Sequence, residues 1–501
     1  MKKPHVIMFV ADQYRMDSIG YGSCEAAVTP NFNQLAEEGL GFQHAFCQNT
    51  VCVPSRISFM TGYYPHVKGY RTMHHLAGSD EPNLLKNMKD NGYHVYWGGR
   101  NDILREDVDL RAYCHERNNR YEAMFNAYRG MSEDNKGERT KTVLKHMKEE
   151  REKRMKGPER FRYSHYYGVE DISGFRDADM LEIQDAITFI RHYDEEEPLM
   201  LYLALALPHP PYQVDEKYYN QIDPNKIPKP IRLTPEQLDM KPAMERGIRA
   251  NQKLYDMSDE ELKEIKRVYL AMGTKLDDGF GQLMHALKEK GMYDDSLIMM
   301  FSDHGDYTGD FEIAEKSQNT FEDVLTNVPL IIKPPFNVES KLGEEALVEL
   351  IDLQATIYDM ADIEAHHTHF GQSLLPILKG KKEHRDFVFT EGGRIEGEEH
   401  CTDSGHTKSN EYWARTVVQN EIPGHTKALM VRNKSYKFVY RLYETNEFYD
   451  LEKDPYELNN EIENEAYASF IHEFEKVALK YYMETTDVVP KRRDARVERS
   501  L

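Results

Sequence analysis

Asp12 and Gln13 near the start of the chain, and Asp303 and His304 far along it, offer hard oxygen ligands and one imidazole nitrogen, a set that could hold a divalent cation. Cys52 is the soft side chain that could join them. A lone cysteine is usually a small buried hydrophobe, but this one opens Cys52-Val53-Pro54-Ser55-Arg56, and Arg56 lies one helical turn further on, where a guanidinium offers paired donors to an oxyanion. A nucleophile held against a cation with a guanidinium beside it is equipped for substitution at an anionic ester.

Such residues meet only if the elements between them bring their ends together. Apolar runs at 6–10, 93–97, 199–207, 297–301 and 328–332 alternate with helical periodicities. That alternation predicts an α/β fold with a large mixed, mainly parallel sheet sandwiched by helices. Helices are expected from Thr29-Pro30-Asn31 to Gly39, over Leu84, Leu85 and Met88 to Gly92, and over Met180, Ile183, Ile187 and Ile190. The longest runs along Leu262, Ile265, Tyr269, Met272, Leu276, Phe280, Leu283 and Leu287 to Gly291. In such sheets ligands bind beyond the carboxyl ends of the strands. The residues there are Asp12-Gln13, Arg100-Asn101-Asp102, Pro208-His209-Pro210-Pro211 and Asp303-His304-Gly305-Asp306, so one rim is expected to carry the site. Around residues 376–385 the alternation gives way to shorter strand-like runs at 387–389, 428–431 and 436–440 and a closing helix. The expected organisation is a catalytic α/β domain over 1–380 and a small C-terminal antiparallel-sheet α+β subdomain over 381–501.

The stretch from Asn49 to Gly62 resembles the signature of the type I, formylglycine-dependent sulfatases of the alkaline phosphatase superfamily, with Cys-x-Pro-Ser-Arg followed by Thr61-Gly62 at the family's offset. Pro208-His209-Pro210-Pro211, Ser302-Asp303-His304-Gly305 and the C-terminal subdomain follow in family order. The resemblance implies that a maturation enzyme oxidises Cys52 to formylglycine (3-oxoalanine), whose hydrate, a geminal diol, attacks a sulfate monoester. It further implies a divalent metal, usually Ca2+, held by Asp12, Gln13, Asp303, His304 and residue 52. Arg56 is then expected to clamp the diol and the sulfate, Lys316 to bind sulfate, and His209 to protonate the leaving oxygen.

The chain departs from the family in two places. Sulfatases usually carry two adjacent aspartates where this chain has Asp12-Gln13, a pair typical of the related phosphonate monoester hydrolases; Mg2+, Mn2+ and Zn2+ therefore stand beside Ca2+. After Gly92-Tyr93, the family's Gly-Lys-Trp-His is replaced by Gly99-Arg100-Asn101-Asp102. Arg100 can supply the lysine's charge and Asp102 the missing base, with His74 and His75 as alternative bases. The expected activity is hydrolysis of small-molecule sulfate monoesters. The rivals are a phosphonate monoester or phosphodiester hydrolase with the same nucleophile, and a catalytically silent metal-holding protein in which Cys52 stays a thiol.

Composition narrows the partners. Lys+Arg 64 against Asp+Glu 86 in 501 residues gives a net charge of -22, which argues against nucleic acid and anionic membranes and requires a local basic pocket for any anionic substrate. The N-terminal apolar run is too short for a signal peptide, and no window reaches the length of a membrane span. Five cysteines without a Cys-x-x-Cys pair suit a reducing compartment, so a cytoplasmic protein is expected, compatible with a homo-oligomer. Residues 131–165, dense in charge, are expected to form a solvated helical insertion or a lid. His366, His367 and His369 are expected in a solvated loop.

Overall fold

The computed structural model describes residues 3–121, 149, 152, 156–172, 177–339, 341–421 and 423–491. Most of the charged stretch 131–165 therefore lies outside the described residues; of its end, Glu159–Phe161 form a single 3-10 turn.

The strand His5–Asp12 is buried from Val6 onward and pairs in parallel with Leu199–Pro208 on one edge and Ser296–Ser302 on the other. A strand with neighbours on both edges and helices on both faces has no solvent side, which is why all three read as unbroken apolar runs. They form the middle of an eight-stranded sheet. Its order is Lys341–Glu344, Leu40–Phe42, Leu330–Lys333, Ser296–Ser302, His5–Asp12, Leu199–Pro208, His94–Gly99 and Glu116–Asn118. Leu330–Lys333 runs antiparallel to both of its neighbours, which makes the sheet mixed. Separate apolar clusters fill the two faces, one around Phe9, Phe32 and Phe280 and the other around Phe59, Trp97 and Phe301.

Two helices fix the site. Cys52–Thr61 is buried along its whole length and ends at Gly62, whose φ of 71° is a left-handed closing conformation that favours glycine. Arg56 is thereby held on the same face as Cys52, one turn on. The long helix Asp259–Lys290 starts in a capping box between Ser258 and Glu261 and stops at Gly291 (φ 73°). It also caps another element. Thr29, the expected cap of the helix Pro30–Glu38, accepts from the Gly20 backbone instead, and Asp277 of the long helix takes the Asn31 and Phe32 N–H groups at 3.2 and 2.7 Å.

Near the C-terminus a separate antiparallel sheet orders Val388–Gly392, Ala428–Arg432, Tyr436–Arg441 and Glu447–Asp450. The closing helix Ala468–Thr485 packs on it through Phe474 against Phe438 and Phe448 and through Tyr481 against Phe389. The histidine loop departs from expectation: His366 is exposed, but His367 is half-buried, with Nε2 2.7 Å from the Thr61 carbonyl at the end of the Cys52 helix. Burial lowers His367 to about 4, so the ring is a neutral cap on that helix rather than a solvated side chain. Among the described residues no helix is long and apolar enough to cross a membrane, and all five cysteines are free.

Candidate active site and metal centre

The ends of the three central strands and the N-terminus of the Cys52 helix converge. Ligand atoms of Asp12, Cys52, Asp303 and His304 lie within 4.8 Å of one another, and all four residues are fully buried. Cys52 Sγ is 3.2 Å from His304 Nε2 and 3.3 Å from Asp12 Oδ1. His304 turns Nδ1 to the Gly305 carbonyl at 2.9 Å, so that nitrogen carries the proton and the Nε2 lone pair faces inward. Nε2 is also 3.8 Å from Asp12 Oδ1 and 3.8 Å from Asp303 Oδ1. A thiol has one proton to share among these acceptors; the remaining lone pairs point at each other, an arrangement that a cation relieves. Two carboxylates, an imidazole and an oxygen or sulfur at residue 52 fit a divalent ion.

Gln13 sits beside this group in a left-handed backbone (φ 66°), its N–H donating to Asp303 Oδ1 at 3.1 Å. A glutamine held at positive φ is backbone strain of the kind that collects at functional sites. Its Oε1 accepts from Lys316 Nζ at 2.9 Å, and its Nε2 donates to Asp306.

Cations frame the acids. Arg56 donates through Nε to Asp303 Oδ2 at 2.8 Å and through a terminal nitrogen to Asp12 Oδ2 at 2.9 Å, so one guanidinium ties the first strand to the Ser296–Ser302 strand. Arg100 donates to the same Asp12 oxygen and lies with Nε 3.0 Å from Asp102. Burial alone would raise the Asp12 carboxyl, but Arg100 and Arg56 hold it far below the usual carboxylate range. Lys316 bonds His209 Nε2 at 2.9 Å, and His209 Nδ1 meets the Pro210 carbonyl at 2.6 Å. Burial, then Lys316, push His209 well below its ordinary value, so the ring is neutral and Nε2 accepts. Burial opposes the Lys316 ammonium, yet Cys52, Glu315 and Asp12 keep its pKa above the usual lysine value.

Asp102 thus lies beside Arg100 and 3.9 Å from Arg56 Nε. His74 is exposed, its backbone N–H bound to Thr72 Oγ1, and His75 meets the same hydroxyl at 2.8 Å; no contact of either with the Cys52 group is present among the described residues. Partial exposure at Asn101, Asp102 and His209 puts the nearest solvent on that side of the buried sulfur.

Three neighbours escaped the sequence reading. Glu315 is fully buried, 3.0 Å from Lys316 and 2.8 Å from Arg415 Nε. Arg415 comes from the short helix Trp413–Thr416, where no motif marks it. Tyr212, just past the His209 turn, donates to Asp306 Oδ1 at 2.7 Å. Asp306 carries a signal, since it ends the polar block after the strand; Glu315, Arg415 and Tyr212 become functional candidates only through the residues they touch.

A family model described as "Sulfatase" matches residues 4–363. The chain is 24% identical over 501 aligned residues to an arylsulfatase of Clostridium perfringens, covering 95% of this chain and 94% of that one. It is 25% identical over 531 aligned residues to the multifunctional alkaline phosphatase superfamily protein PehA of Trinickia caryophylli, covering 97% and 96%. In fold it is similar to the phosphonate monoester hydrolase of Agrobacterium radiobacter, with a TM-score of 0.72 at 20% identity over 98% of this chain and 100% of that one.

Proposed function

The chain belongs to the sulfatase family, and from that premise we propose that it hydrolyses small-molecule sulfate monoesters to an alcohol or phenol and sulfate, with formylglycine formed from Cys52 as nucleophile and a divalent metal, Ca2+ first among candidates, at Asp12, Gln13, Asp303 and His304. The convergence of Cys52 Sγ on Asp12 and His304 carries this reading. A cation bound there supplies Lewis acidity to the nucleophilic oxygen of residue 52 and to the ester oxygens. Arg56 holds Asp12 and Asp303 in one geometry, so the nucleophile meets a fixed charge field that needs no rearrangement during reaction. Lys316 and Arg100 place positive charge where the non-bridging sulfate oxygens gather. Neutral His209 accepts from the Lys316 ammonium at Nε2 across 2.9 Å, so the proton for the departing alkoxide is held on Lys316, and His209 positions that ammonium. Of the three bases the sequence offers, Asp102 is favoured over His74 and His75 for removing the second proton from residue 52, because Asp102 lies among the site's guanidinium groups, His74 is exposed and His75 is bonded to Thr72.

The Asp12-Gln13 pair favours a second reading, phosphonate monoester hydrolysis with the same nucleophile. Enzyme coexpressed with a Cys-to-formylglycine maturation enzyme, with conversion verified by peptide mass, is to be assayed on an aryl sulfate and an aryl phosphonate monoester. Higher kcat/KM on the sulfate supports the first reading, and the reverse order supports the second. Cys52→Ala is expected to lose both activities, by at least about 1000-fold as for removal of other nucleophiles. Unchanged turnover by that variant sinks the proposal.

A further inference from the structure

We infer that Asp306 is a positioning residue that decides which end of the Gln13 carboxamide faces the metal. The inference rests on the metal reading above. A carboxamide has an acceptor end and a donor end of almost the same size, so its neighbours set its orientation. Here both ends are specified. Nε2 donates to Asp306 Oδ2, which as a carboxylate only accepts, and Oε1 takes a proton from Lys316 Nζ at 2.9 Å, an ammonium that only donates. The carbonyl end is therefore turned to Lys316 and away from Asp306.

Asp306 is itself restrained. Its other oxygen, Oδ1, accepts from the Tyr212 hydroxyl at 2.7 Å and from the Thr308 backbone and hydroxyl, and all three residues are fully buried. The Tyr212 hydroxyl accepts in turn from the Glu315 N–H at 2.9 Å, so a single phenol links the residue preceding Lys316 to the carboxylate that orients the amide. The root of the side chain is fixed too, because the Gln13 N–H is held by Asp303 at 3.1 Å. Were the amide reversed, its NH2 group would face the Lys316 ammonium, donor against donor, and its oxygen would face the Asp306 carboxylate, acceptor against acceptor. Asp306 thus makes an ambivalent side chain an oxygen donor only, in the manner of outer residues that orient metal ligands.

The test is calorimetric titration of Ca2+, and separately Mn2+, into full-length protein freed of metal, with the state of residue 52 matched across variants by peptide mass. Wild type is expected to bind one ion. Asp306→Asn is expected to weaken Kd by about 10–100-fold, the usual range for loss of an orienting partner, and Tyr212→Phe by a smaller factor. The double variant Gln13→Glu/Asp306→Asn restores a donor–acceptor pair of reversed polarity and is expected to recover affinity to within a few-fold of wild type. That rescue separates orientation from mere structural support. A Kd for Asp306→Asn within about twofold of wild type, or a double variant no tighter than Asp306→Asn, overturns the inference while leaving the metal site standing. A wild type that binds neither ion overturns both. If Asp306→Asn does not fold, Tyr212→Phe, which changes no charge, decides: an unchanged Kd overturns the inference.

Discussion

Arg56 shows how much one side chain can determine. Its Nε and a terminal nitrogen serve carboxylates from two strands, and all three groups are fully buried. A lysine at this position keeps the charge but has no fork, so it can serve Asp303 and leaves Asp12 to Arg100 alone. Arg56→Lys is expected to lower unfolding stability by roughly 2 kcal/mol, the loss of one charged hydrogen bond, in denaturant titration. Arg415 is expected to act on substrate rather than on stability alone. It neutralises Glu315 beside Lys316, so Arg415→Ala leaves Glu315 free to draw the Lys316 ammonium away from the ester; KM for an aryl sulfate should rise by about tenfold, with Arg415→Lys intermediate. Equal KM in wild type and Arg415→Ala would remove Arg415 from the site. The contrast between these arginines explains what was legible. Asp12, Asp303 and His304 sit at the ends of apolar runs, and Cys52 and Arg56 lie in a stretch that resembles the family signature, so their meeting could be expected. Arg415 and Tyr212 reach the site through tertiary approach, and no spacing in the sequence encodes that.

At the scale of elements, the Cys52 helix must stop where it does for residue 52 to face the strand ends. Gly62 has a φ of 71°, and a Cβ added there would stand 2.6 Å from Gln354 Oε1 and 2.7 Å from the His369 Cβ. Gly62→Ala is expected to destabilise the protein by about 2 kcal/mol from the left-handed backbone alone, with the crowding added; a melting temperature equal to wild type would contradict this. Beyond that turn, Glu349 joins elements: it accepts from the Tyr64 hydroxyl at 2.6 Å and from the Phe389 N–H of the C-terminal sheet at 2.8 Å, and pairs with Arg385 at 3.0 Å. Burial raises its carboxyl to about 7 despite Arg385. A carboxyl raised on folding binds its proton more tightly in the native state, so its contribution is full below the unfolded value near 4.5 and is lost as pH rises through about 7. Glu349→Gln keeps the neutral form at every pH. Relative to wild type, this variant should gain roughly 2 kcal/mol of unfolding stability between pH 5 and pH 8, and a pH-independent difference would refute the assignment. Sequence patterns marked the Gly291 stop of the long helix and the central strands, but not the antiparallel entry of Leu330–Lys333 or the capping of Pro30–Glu38 by Asp277, since both depend on which partner lies alongside.

For the whole molecule, the order of the chain matters most. The proposed metal ligands come from the first strand, the start of the Cys52 helix and the end of the Ser296–Ser302 strand, which lie side by side only once the central sheet is complete. An unfolded chain scatters them, so a cation that binds here binds the folded state alone and stabilises the entire fold rather than one loop. The net charge of -22 adds to this, because a divalent cation also relieves repulsion in a chain with an excess of acids. At a free metal concentration near 100 times Kd, unfolding stability should rise by about 2.7 kcal/mol, visible as a shift of a few degrees in the melting temperature. The shift should appear together in far-UV circular dichroism, which follows the sheet and helices, and in fluorescence of Trp97, which is buried against the second sheet face. Excess chelator should reverse it, and Asp12→Ala should abolish it. A shift in one probe only would mean that the ion orders a local segment, and the central sheet would then not be what assembles the site.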